Sequence, residues 1–223
     1  MADLTLYIGN KSYSSWSLRG WLACRLAGLP FEEVVIPLDQ PDTQATIRKH
    51  SPSGKVPALR HGKLLVWESL AISEYVHELA PQAGLWPADR EARAHARAIS
   101  SEIHAGFFDL RRAMWMNLRK RFPGQGRTPG ALADVARICA IWRETKARYG
   151  AGGPFLFGKQ ANLADAMYAP VVTRFVTWEP ELPADAKAYV AAIWDHPLMQ
   201  EWRQGAAAEP ESWALPKYDS PAA

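Results

Sequence analysis

The sequence predicts an α/β plus all-α architecture, in which a mixed α/β unit over residues 1–80 precedes an all-helical unit over 89–223. In the first 80 residues, short β-branched and alternating segments are interleaved with segments of helical period. Beyond Pro81 and Pro87, apolar residues recur every three or four positions and no strand pattern follows. The Pro-bounded residues 81–88 are the predicted linker. With 223 residues, 48% of them hydrophobic, the chain can form a large core.

The α/β unit opens on a short strand whose end is marked by a turn-prone Gly-Asn-Lys. Helical spacing then runs from Leu18 to Leu26, and Gly28 with Pro30 ends that helix. A hairpin signal at 60–62 and a helix that Ser69 caps complete the unit. The predicted elements in order are strand 4–8, helix 18–26, strand 31–38, loop with a short helix 39–50, strand 56–59, strand 63–67 and helix 69–79.

The second unit consists of helices alone. Apolar residues from Ile99 to Leu118 predict one long amphipathic helix, and Leu132 to Trp142 predict another. Three Ala-rich helical segments follow at 163–176, 184–194 and 197–206.

Charge and cysteine content exclude several classes of protein. The formal net charge of +3 does not favour nucleic-acid binding. Cys24 and Cys139 form no CxxC or metal-ligand spacing, so neither a disulfide scaffold nor a metal site is expected. The first residues lack a signal-peptide pattern, and no apolar run is long enough for a membrane span. We therefore expect a soluble cytoplasmic protein without nucleic-acid or membrane partners.

A serine cluster separates the first strand from the first helix. Ser14, Ser15 and Ser17 precede or enter the segment of helical period. A serine ahead of an apolar helical run commonly caps the helix, which is the structural interpretation of Ser14. The functional interpretation is that a hydroxyl at a helix amino terminus donates to an anion that the helix dipole already favours.

Two further motifs allow both a structural and a functional interpretation. Pro57 lacks the ladder donor, so Val56-Pro57 indicates an edge strand or loop, or a cis-proline turn that leaves the Val56 backbone free for a peptide-like ligand. Ser69 can be a helix cap and Glu68 a surface charge. Alternatively, Ser69 and the free helix amides hold a carboxylate while Glu68 meets an ammonium.

The order and spacing of these three motifs resemble the cytosolic, serine-dependent glutathione transferase family. Ser14 lies 42 residues before Val56, and Val56 lies 12 before Glu68. The resemblance covers essentially the whole chain and implies a thioredoxin-like glutathione-binding domain followed by a helical-bundle domain. Asn162 and Asp165 match the family's capping box in its core helix, which we assign to structure.

Within the family, the loop is most similar to the S-S-C-S-x-R loop of the zeta, or maleylacetoacetate isomerase, class. It reads Ser14-Ser15-Trp16-Ser17-Leu18-Arg19 here, with Trp16 in place of the cysteine. Ser14 falls on the activating serine of that class, and Ser15 and Ser17 are the alternative catalytic candidates. The stretch from Phe107 to Arg112 matches the class poorly, and Arg174 lies about one turn from the expected arginine.

The resemblance implies glutathione as co-substrate, no metal and a homodimer that attacks or isomerises a small apolar electrophile. Ser14 would stabilise the thiolate, the Val56 backbone would pair with the cysteinyl unit beside Pro57, and Lys55 would meet the glycine carboxylate. Glu68 and Ser69 would hold the γ-glutamyl head. The implied electrophile pocket contains Trp16, His104, Phe107, Phe108, Arg111 and Trp115.

Two alternatives remain open beside this enzyme. The same fold can serve as a non-catalytic binding or regulatory module, although such a module would not require all three motifs. Thiol oxidoreductase chemistry would need a cysteine at the helix start, where this chain has Ser14, whereas Cys24 lies about two turns inside the helix. His104 also has a structural interpretation, as a packing histidine.

The 10 tryptophans divide between core and site. Helical spacing predicts that Trp21, Trp142, Trp194 and Trp202 pack in the core, and Trp67 is expected to face inward. The resemblance implies Trp16 and Trp115 as part of the electrophile pocket. The pattern leaves Trp86, Trp178 and Trp213 unassigned.

Overall fold

The computed structural model describes residues 3–220, which contain four strands and nine α-helices. The elements of the α/β part follow the predicted order, and the helical part has one helix more than predicted. The α/β part comprises β1 (Leu4–Ile8), α1 (Ser15–Leu26), β2 (Glu32–Val35), α2 (Thr43–His50), β3 (Ala58–His61), β4 (Leu64–Trp67) and α3 (Ser69–Leu79). The helical part comprises α4 (Arg90–Ala105), α5 (Phe108–Ala113), α6 (Pro129–Tyr149), α7 (Leu163–Trp178), α8 (Ala184–Trp194) and α9 (Pro197–Ala207). Short 3-10 turns lie at Pro81–Ala83, Glu211–Trp213 and Pro216–Tyr218.

The strands form one mixed sheet in the order β2-β1-β3-β4. β1 pairs in parallel with β2 and antiparallel with β3, and β3 and β4 form an antiparallel hairpin. Because strand side chains alternate between faces, Leu6 and Ile8 join the main core on one face. Tyr7 packs on the other face with Ile36 and Ile47 of the α2 side. The sheet is therefore covered on both faces, and β1 is buried throughout.

Helix α1 connects the two parts because it packs against both α3 and α7. Every residue of α7 except Val176 is buried. Its start is the predicted capping box: Asn162 Oδ1 accepts from Ala164 N at 2.8 Å, and Asp165 Oδ2 accepts from Asn162 N at 2.9 Å. The sequence-based assignment of this box to structure is confirmed.

The prediction of one long helix from Ile99 to Leu118 is wrong. Helix α4 ends at Ala105, Gly106 is extended, and Phe107 adopts a left-handed φ of 61° before α5 begins. Leu110 of α5 is buried in the same core as the apolar residues of α4, so the apolar spacing continues across the break. The break therefore leaves no mark in the periodicity of the sequence. The break changes the direction of the chain, so that Arg111 of α5 lies against Trp16 of α1.

Three smaller predictions also differ from the structure. Glu68, not Ser69, occupies the cap position of α3, and it makes no side-chain capping bond. Trp67 does not face inward, since 42% of its surface is exposed on an edge strand. Leu132 is exposed as well, because the buried stripe of α6 runs through Val135, Ile138 and Trp142 instead.

Most of the tryptophans predicted to pack do so. Trp21, Trp142 and Trp202 are buried, and Trp194 is half-buried. Trp86 and Trp178, which the sequence pattern left unassigned, are buried too. Among residues 3–220, every helix falls short of the length and hydropathy needed to traverse a bilayer.

Candidate functional site

The serine cluster lies at the end of the loop that connects β1 to α1 and in the first turn of α1. Ser14 is the cap of α1: its Oγ accepts from Ser17 N at 3.4 Å. The same hydroxyl donates to Ser17 Oγ at 2.7 Å, and Ser17 Oγ also accepts from Gly9 N at 2.9 Å. The capping interpretation of Ser14 is therefore confirmed. Ser15, the first residue of α1, borders a cavity, and its hydroxyl has no hydrogen-bond partner among the described residues.

The cavity beside the serines, here called the inner recess, has a volume of about 360 Å³. It lies between the first helix, the α2–β3 connection and the helical part of the chain. Its lining combines the hydroxyls of Ser14 and Ser15 with guanidinium groups and aromatic rings. Its lining residues include Tyr13, Ser14, Ser15, Trp16, Lys55, Val56, Arg111, Trp115, Met116, Arg174 and Tyr218.

A second cavity, the outer recess, adjoins the first and has a volume of about 330 Å³. Trp16, Lys55 and Val56 border both recesses, so the two are parts of one cleft. The outer recess is lined by Trp16, Ser53, Lys55, Val56, Pro57, Glu68, His104, Ala105 and Phe108. The cleft has the size and mixed lining of a small-molecule site.

Trp16 is the side chain around which the cleft is built. The guanidinium carbons of Arg19 and Arg111 lie 4.5 and 4.8 Å from the centre of its ring. The His104 ring meets it edge-on at 5.1 Å. Cations over an indole face are attracted by the ring quadrupole, so Trp16 is held in place by three cationic or polar neighbours.

Three guanidinium groups concentrate positive charge behind and within the inner recess. Arg111 donates from Nε to Gly106 O at 3.0 Å and from Nη2 to Ile103 O, and Arg174 donates to Met114 O at 2.8 Å. The Nε and Nη1 groups of buried Arg19 have no acceptor among the described residues. None of the three forms a salt bridge within residues 3–220.

Burial and mutual repulsion act on these arginines together. Burial, followed by Arg111 and Arg174, holds the pKa of Arg19 well below its usual range. Burial and then Arg111 lower the pKa of Arg174 to about 9. Burial also lowers the pKa of Arg111, although Asp134 opposes it. Uncompensated buried charge of one sign favours a ligand of the opposite sign, so the inner recess suits an anion.

The proline and glutamate motifs meet at the outer recess. The Val56–Pro57 peptide bond is cis, and Val56 precedes Ala58, the first paired residue of β3. Glu68 has a φ of 70°, a strained conformation for a non-glycine residue, and its carboxylate lies 3.8 Å from His104 Nε2. Burial and then Arg19 lower the pKa of His104, while Glu68 opposes that shift.

Most sequence-predicted site residues come together in this cleft, and three do not line it. Ser17 is fully buried behind Ser14, and Phe107 packs into the core at the α4–α5 break. Ser69 is also buried, and its Oγ has no partner among the described residues. By contrast, Phe108 is 61% exposed and borders the outer recess. His104 and Arg111 both contact Trp16 although they lie on different helices.

Several residues of the cleft carry no sequence signal. Tyr218 borders the inner recess from a segment without helical or strand pattern, and its carbonyl accepts from Trp115 Nε1 at 2.8 Å. Met116 follows the α5 end in an irregular stretch. Among residues 3–220, no group of three or more His, Cys, Asp or Glu side chains is arranged to hold a metal ion.

Comparison with known families identifies the architecture. The family model for the glutathione S-transferase N-terminal domain matches residues 13–79, and that for the glutathione S-transferase C-terminal domain matches residues 125–206. The chain belongs to the glutathione S-transferase family. The first match spans the serine loop, the cis-proline turn and the start of α3, and the second spans α6 to α9.

Relatives within the glutathione S-transferase family include isomerases. A probable maleylacetoacetate isomerase of Caenorhabditis elegans is 27% identical over 201 residues, covering 84% of this chain and 91% of the relative. A maleylpyruvate isomerase of Ralstonia is 28% identical and covers 73% of this chain and 80% of its own length. A crystal structure of a Burkholderia glutathione transferase homologue with bound glutathione superposes with a TM-score of 0.70. It is 26% identical and covers 92% of this chain and 99% of its own.

Proposed function

We propose that this glutathione S-transferase family member binds glutathione in the cleft, stabilises its thiolate with Ser14 and Ser15, and directs it at an electrophile in the inner recess. The observation that carries the proposal is the pair of hydroxyls at the amino terminus of α1, facing a recess that holds two uncompensated guanidinium groups. In this proposal residues 1–80 form the glutathione-binding domain, 81–88 the linker and 89–223 the helical domain. A cytoplasmic homodimer is the proposed assembly.

The energy required for thiol activation is within reach of these groups. A glutathione thiol resembles cysteine, with a pKa near ~8.5, so only a few per cent is thiolate at neutral pH. Lowering that pKa by about two units requires roughly 2.7 kcal/mol of preference for the anion. One charge-assisted hydrogen bond contributes ~1.5–3 kcal/mol, and a helix amino terminus contributes ~0.3–1 kcal/mol.

The hydrogen bonds distinguish the roles of the serines. Ser15 Oγ borders the recess with its proton uncommitted, so it is the proposed direct donor to the thiolate. Ser14 donates its proton to Ser17 Oγ, so it must rotate that proton towards the recess to act in the same way. Ser17 holds the loop through Gly9 N and is the third catalytic candidate, acting behind Ser14. The thiol proton leaves to solvent.

The rest of glutathione is assigned by charge along the cleft. The Val56 backbone beside Pro57 pairs with the cysteinyl unit, and exposed Lys55 meets the glycine carboxylate. Glu68 borders the outer recess with a partly exposed carboxylate and binds the γ-glutamyl ammonium. The first amides of α3 and Ser69 bind the γ-glutamyl carboxylate, and the buried, unpartnered Ser69 Oγ must become accessible from the outer recess to make this contact.

The electrophile lies against Trp16, Trp115, Arg111 and Arg174. The aromatic rings suit a small apolar body, whereas the guanidinium groups suit carboxylates attached to it. An unsaturated carboxylic acid satisfies both, and the names of the C. elegans and Ralstonia relatives denote isomerases of such acids. We therefore propose glutathione-dependent cis–trans isomerisation of an unsaturated acid, in which reversible thiolate addition permits rotation about the former double bond.

The test is a serine series that follows both binding and chemistry. Ser14→Ala, Ser15→Ala and Ser17→Ala are each titrated with glutathione from pH 5 to 10, recording thiolate absorbance near 240 nm and the dissociation constant. We expect Ser15→Ala to raise the pKa of the bound thiol by about one to two units with little change in affinity. If none of the three variants shifts that pKa, the serine mechanism is refuted.

The alternative of a non-catalytic binding module has its own outcome. Wild-type protein is incubated with glutathione and a panel comprising maleate-like acids, an aryl halide and an enone. Turnover of any member supports an enzyme, and preference for the acids supports the role of Arg111 and Arg174. Retention on glutathione-agarose with no turnover across the panel supports the binding module. The mass of the protein in solution tests the homodimer.

A further inference from the structure

The loop that carries the serines is tied to a distant part of the chain, here called the C-terminal segment (residues 202–215). Four successive loop residues, Asn10 to Tyr13, each make at least one hydrogen bond to it. The bonds are Asn10 Nδ2 to Trp213 O at 3.1 Å, Trp202 Nε1 to Lys11 O at 3.1 Å, Ser12 Oγ to Ala206 O at 3.4 Å and Leu215 N to Tyr13 Oη at 3.3 Å.

The Glu209 carboxylate alone accepts two further hydrogen bonds from the loop. One carboxylate oxygen accepts from Lys11 N, and the other accepts from Ser12 N at 3.1 Å. These two amides lie between β1 and α1, where neither the strand nor the helix supplies an acceptor for them. A carboxylate with two oxygens can satisfy two consecutive amides at once, which a neutral side chain cannot do equally well.

The loop geometry that Glu209 fixes leads directly to the cap of α1. Ser14 N and Tyr13 N both donate to Asn10 O, at 2.8 and 3.2 Å, so the loop closes as one tight turn. Lys11 and Ser12 form the outer side of that turn, and Glu209 holds both. A change at Glu209 is therefore transmitted to Ser14 and Ser15 through one turn of backbone.

We propose that Glu209 is a positioning residue for thiol activation, holding the Lys11–Ser12 amides so that Ser14 and Ser15 face the inner recess. This inference rests on the proposed function, since it assigns Glu209 to the same serine-stabilised thiolate. Glu209 touches neither recess, so it acts only through the loop.

The side chains around Glu209 leave its carboxylate free to accept from the two loop amides. Lys11 Nζ is engaged by Glu33 at 2.7 Å and sits over the Trp202 ring, so the two backbone amides are the direct partners of Glu209. Burial raises the pKa of neighbouring Tyr13, and Asp219 and Glu209 add to that rise, while the Leu215 amide and Arg119 oppose it.

The experiment compares Glu209→Gln with Glu211→Gln in the full chain. Glu211 lies two residues away in the same segment, and within residues 3–220 its carboxylate pairs with Arg119 alone, so it is the matched control. Amide hydrogen exchange of the free protein reports on residues 10–15, and thiolate absorbance reports the pKa of bound glutathione. Glu209→Ala and a thermal melt of each variant accompany the pair.

We expect Glu209→Gln to accelerate exchange at Lys11 and Ser12 at least about tenfold and to raise the pKa of the bound thiol by about one unit. At pH 6.5, close to the proposed pKa of the bound thiol, that shift lowers the thiolate fraction and kcat about fivefold, with the KM for glutathione within about twofold. Glu211→Gln should match wild type in every measurement. Glu209→Ala should show the same loop exchange and a pKa shift at least as large.

Each failure has a distinct meaning. A wild-type protein that binds glutathione without thiolate absorbance refutes the proposed function itself. If wild-type protein stabilises the thiolate and the pKa of the bound thiol is the same in Glu209→Gln, only the inference about Glu209 is refuted. Faster exchange throughout the chain with a fall in melting temperature, and no shift in thiol pKa, assigns Glu209 to general stability and also overturns the positioning role.

Discussion

Replacing Arg174 by methionine should make the chain more stable and the proposed enzyme less active. Arg174 is 5% exposed, and its guanidinium donates to Met114 O while lying near Arg111 with no carboxylate partner in the described chain. Such a charge costs stability in the free protein and is useful only when an anion is bound. Methionine keeps the length of the side chain and removes the charge.

The magnitude follows from the pKa of the guanidinium. A fall from 12.5 to about 9 corresponds to at most ~5 kcal/mol of unfavourable charge energy, at 1.36 kcal/mol per unit. Losing the hydrogen bond to Met114 O offsets ~1.5–3 kcal/mol of the stability gained by removing the charge, because the donor of that bond is charged. The net expectation for Arg174→Met is about 2 kcal/mol of added stability, or a melting temperature higher by roughly 4–8 °C for a chain of this size.

The activity should change in the opposite direction. Losing one charge-assisted contact of ~1.5–3 kcal/mol lowers kcat/KM for an unsaturated acid about 10- to 150-fold. The dissociation constant of glutathione should stay within about twofold. Thermal melts with and without the acid, and initial rates at fixed glutathione, measure both effects. The exposed, locally paired Arg148→Met is the control, with melting temperature and rate unchanged. A variant that is less stable and equally active would refute the reasoning.

Three other features of the structure yield further expectations. Burial raises the pKa of Asp165 to about 6, so the folded chain binds more protons than the unfolded chain between about pH 4 and 6. The free energy of unfolding should fall as pH rises through that window, and urea unfolding of Asp165→Asn should show a smaller fall. Glutathione or an acid ligand should quench tryptophan fluorescence mainly through Trp16 and Trp115. Titrations of Trp16→Phe and Trp115→Phe that retain the full quench would contradict this assignment. Gly153→Ala should destabilise by more than ~2 kcal/mol in thermal melts, since its Cβ would lie 1.9 Å from Gly158 O.

Local patterns predicted the elements that carry the site. The serine cap of α1 and the capping box of α7 could be predicted from the sequence because a cap depends on one side chain and the next few amides. Apolar period placed the ends of α7, α8 and α9 to within two residues, whereas α6 continues to Tyr149, seven residues beyond the predicted Trp142. The Arg60–Gly62 signal marked the hairpin. Such features depend on neighbours in sequence, so a single chain displays them.

Features that depend on distant neighbours were not predictable in the same way. The break at Gly106 and Phe107 is hidden because apolar spacing continues through it, yet it brings Arg111 against Trp16. Helix α7 is buried on nearly every side and shows no polar face from which its packing could be inferred. Tyr218 reaches the inner recess through contacts with Trp115 and Asn117, about a hundred positions earlier, and with Tyr13, and such distant contacts have no local signature.

The pairing of Lys11 and Ser12 with Glu209 has a consequence for the order in which the molecule is assembled. These partners are separated by 198 and 197 residues, so closing that loop is among the most entropically demanding steps of folding. During synthesis, the amino-terminal sheet can form long before residue 209 exists, while the Lys11 and Ser12 amides still lack their carboxylate partner. In the proposed mechanism, the serine loop therefore receives its anchor at Glu209 only after the helical part has been made and docked.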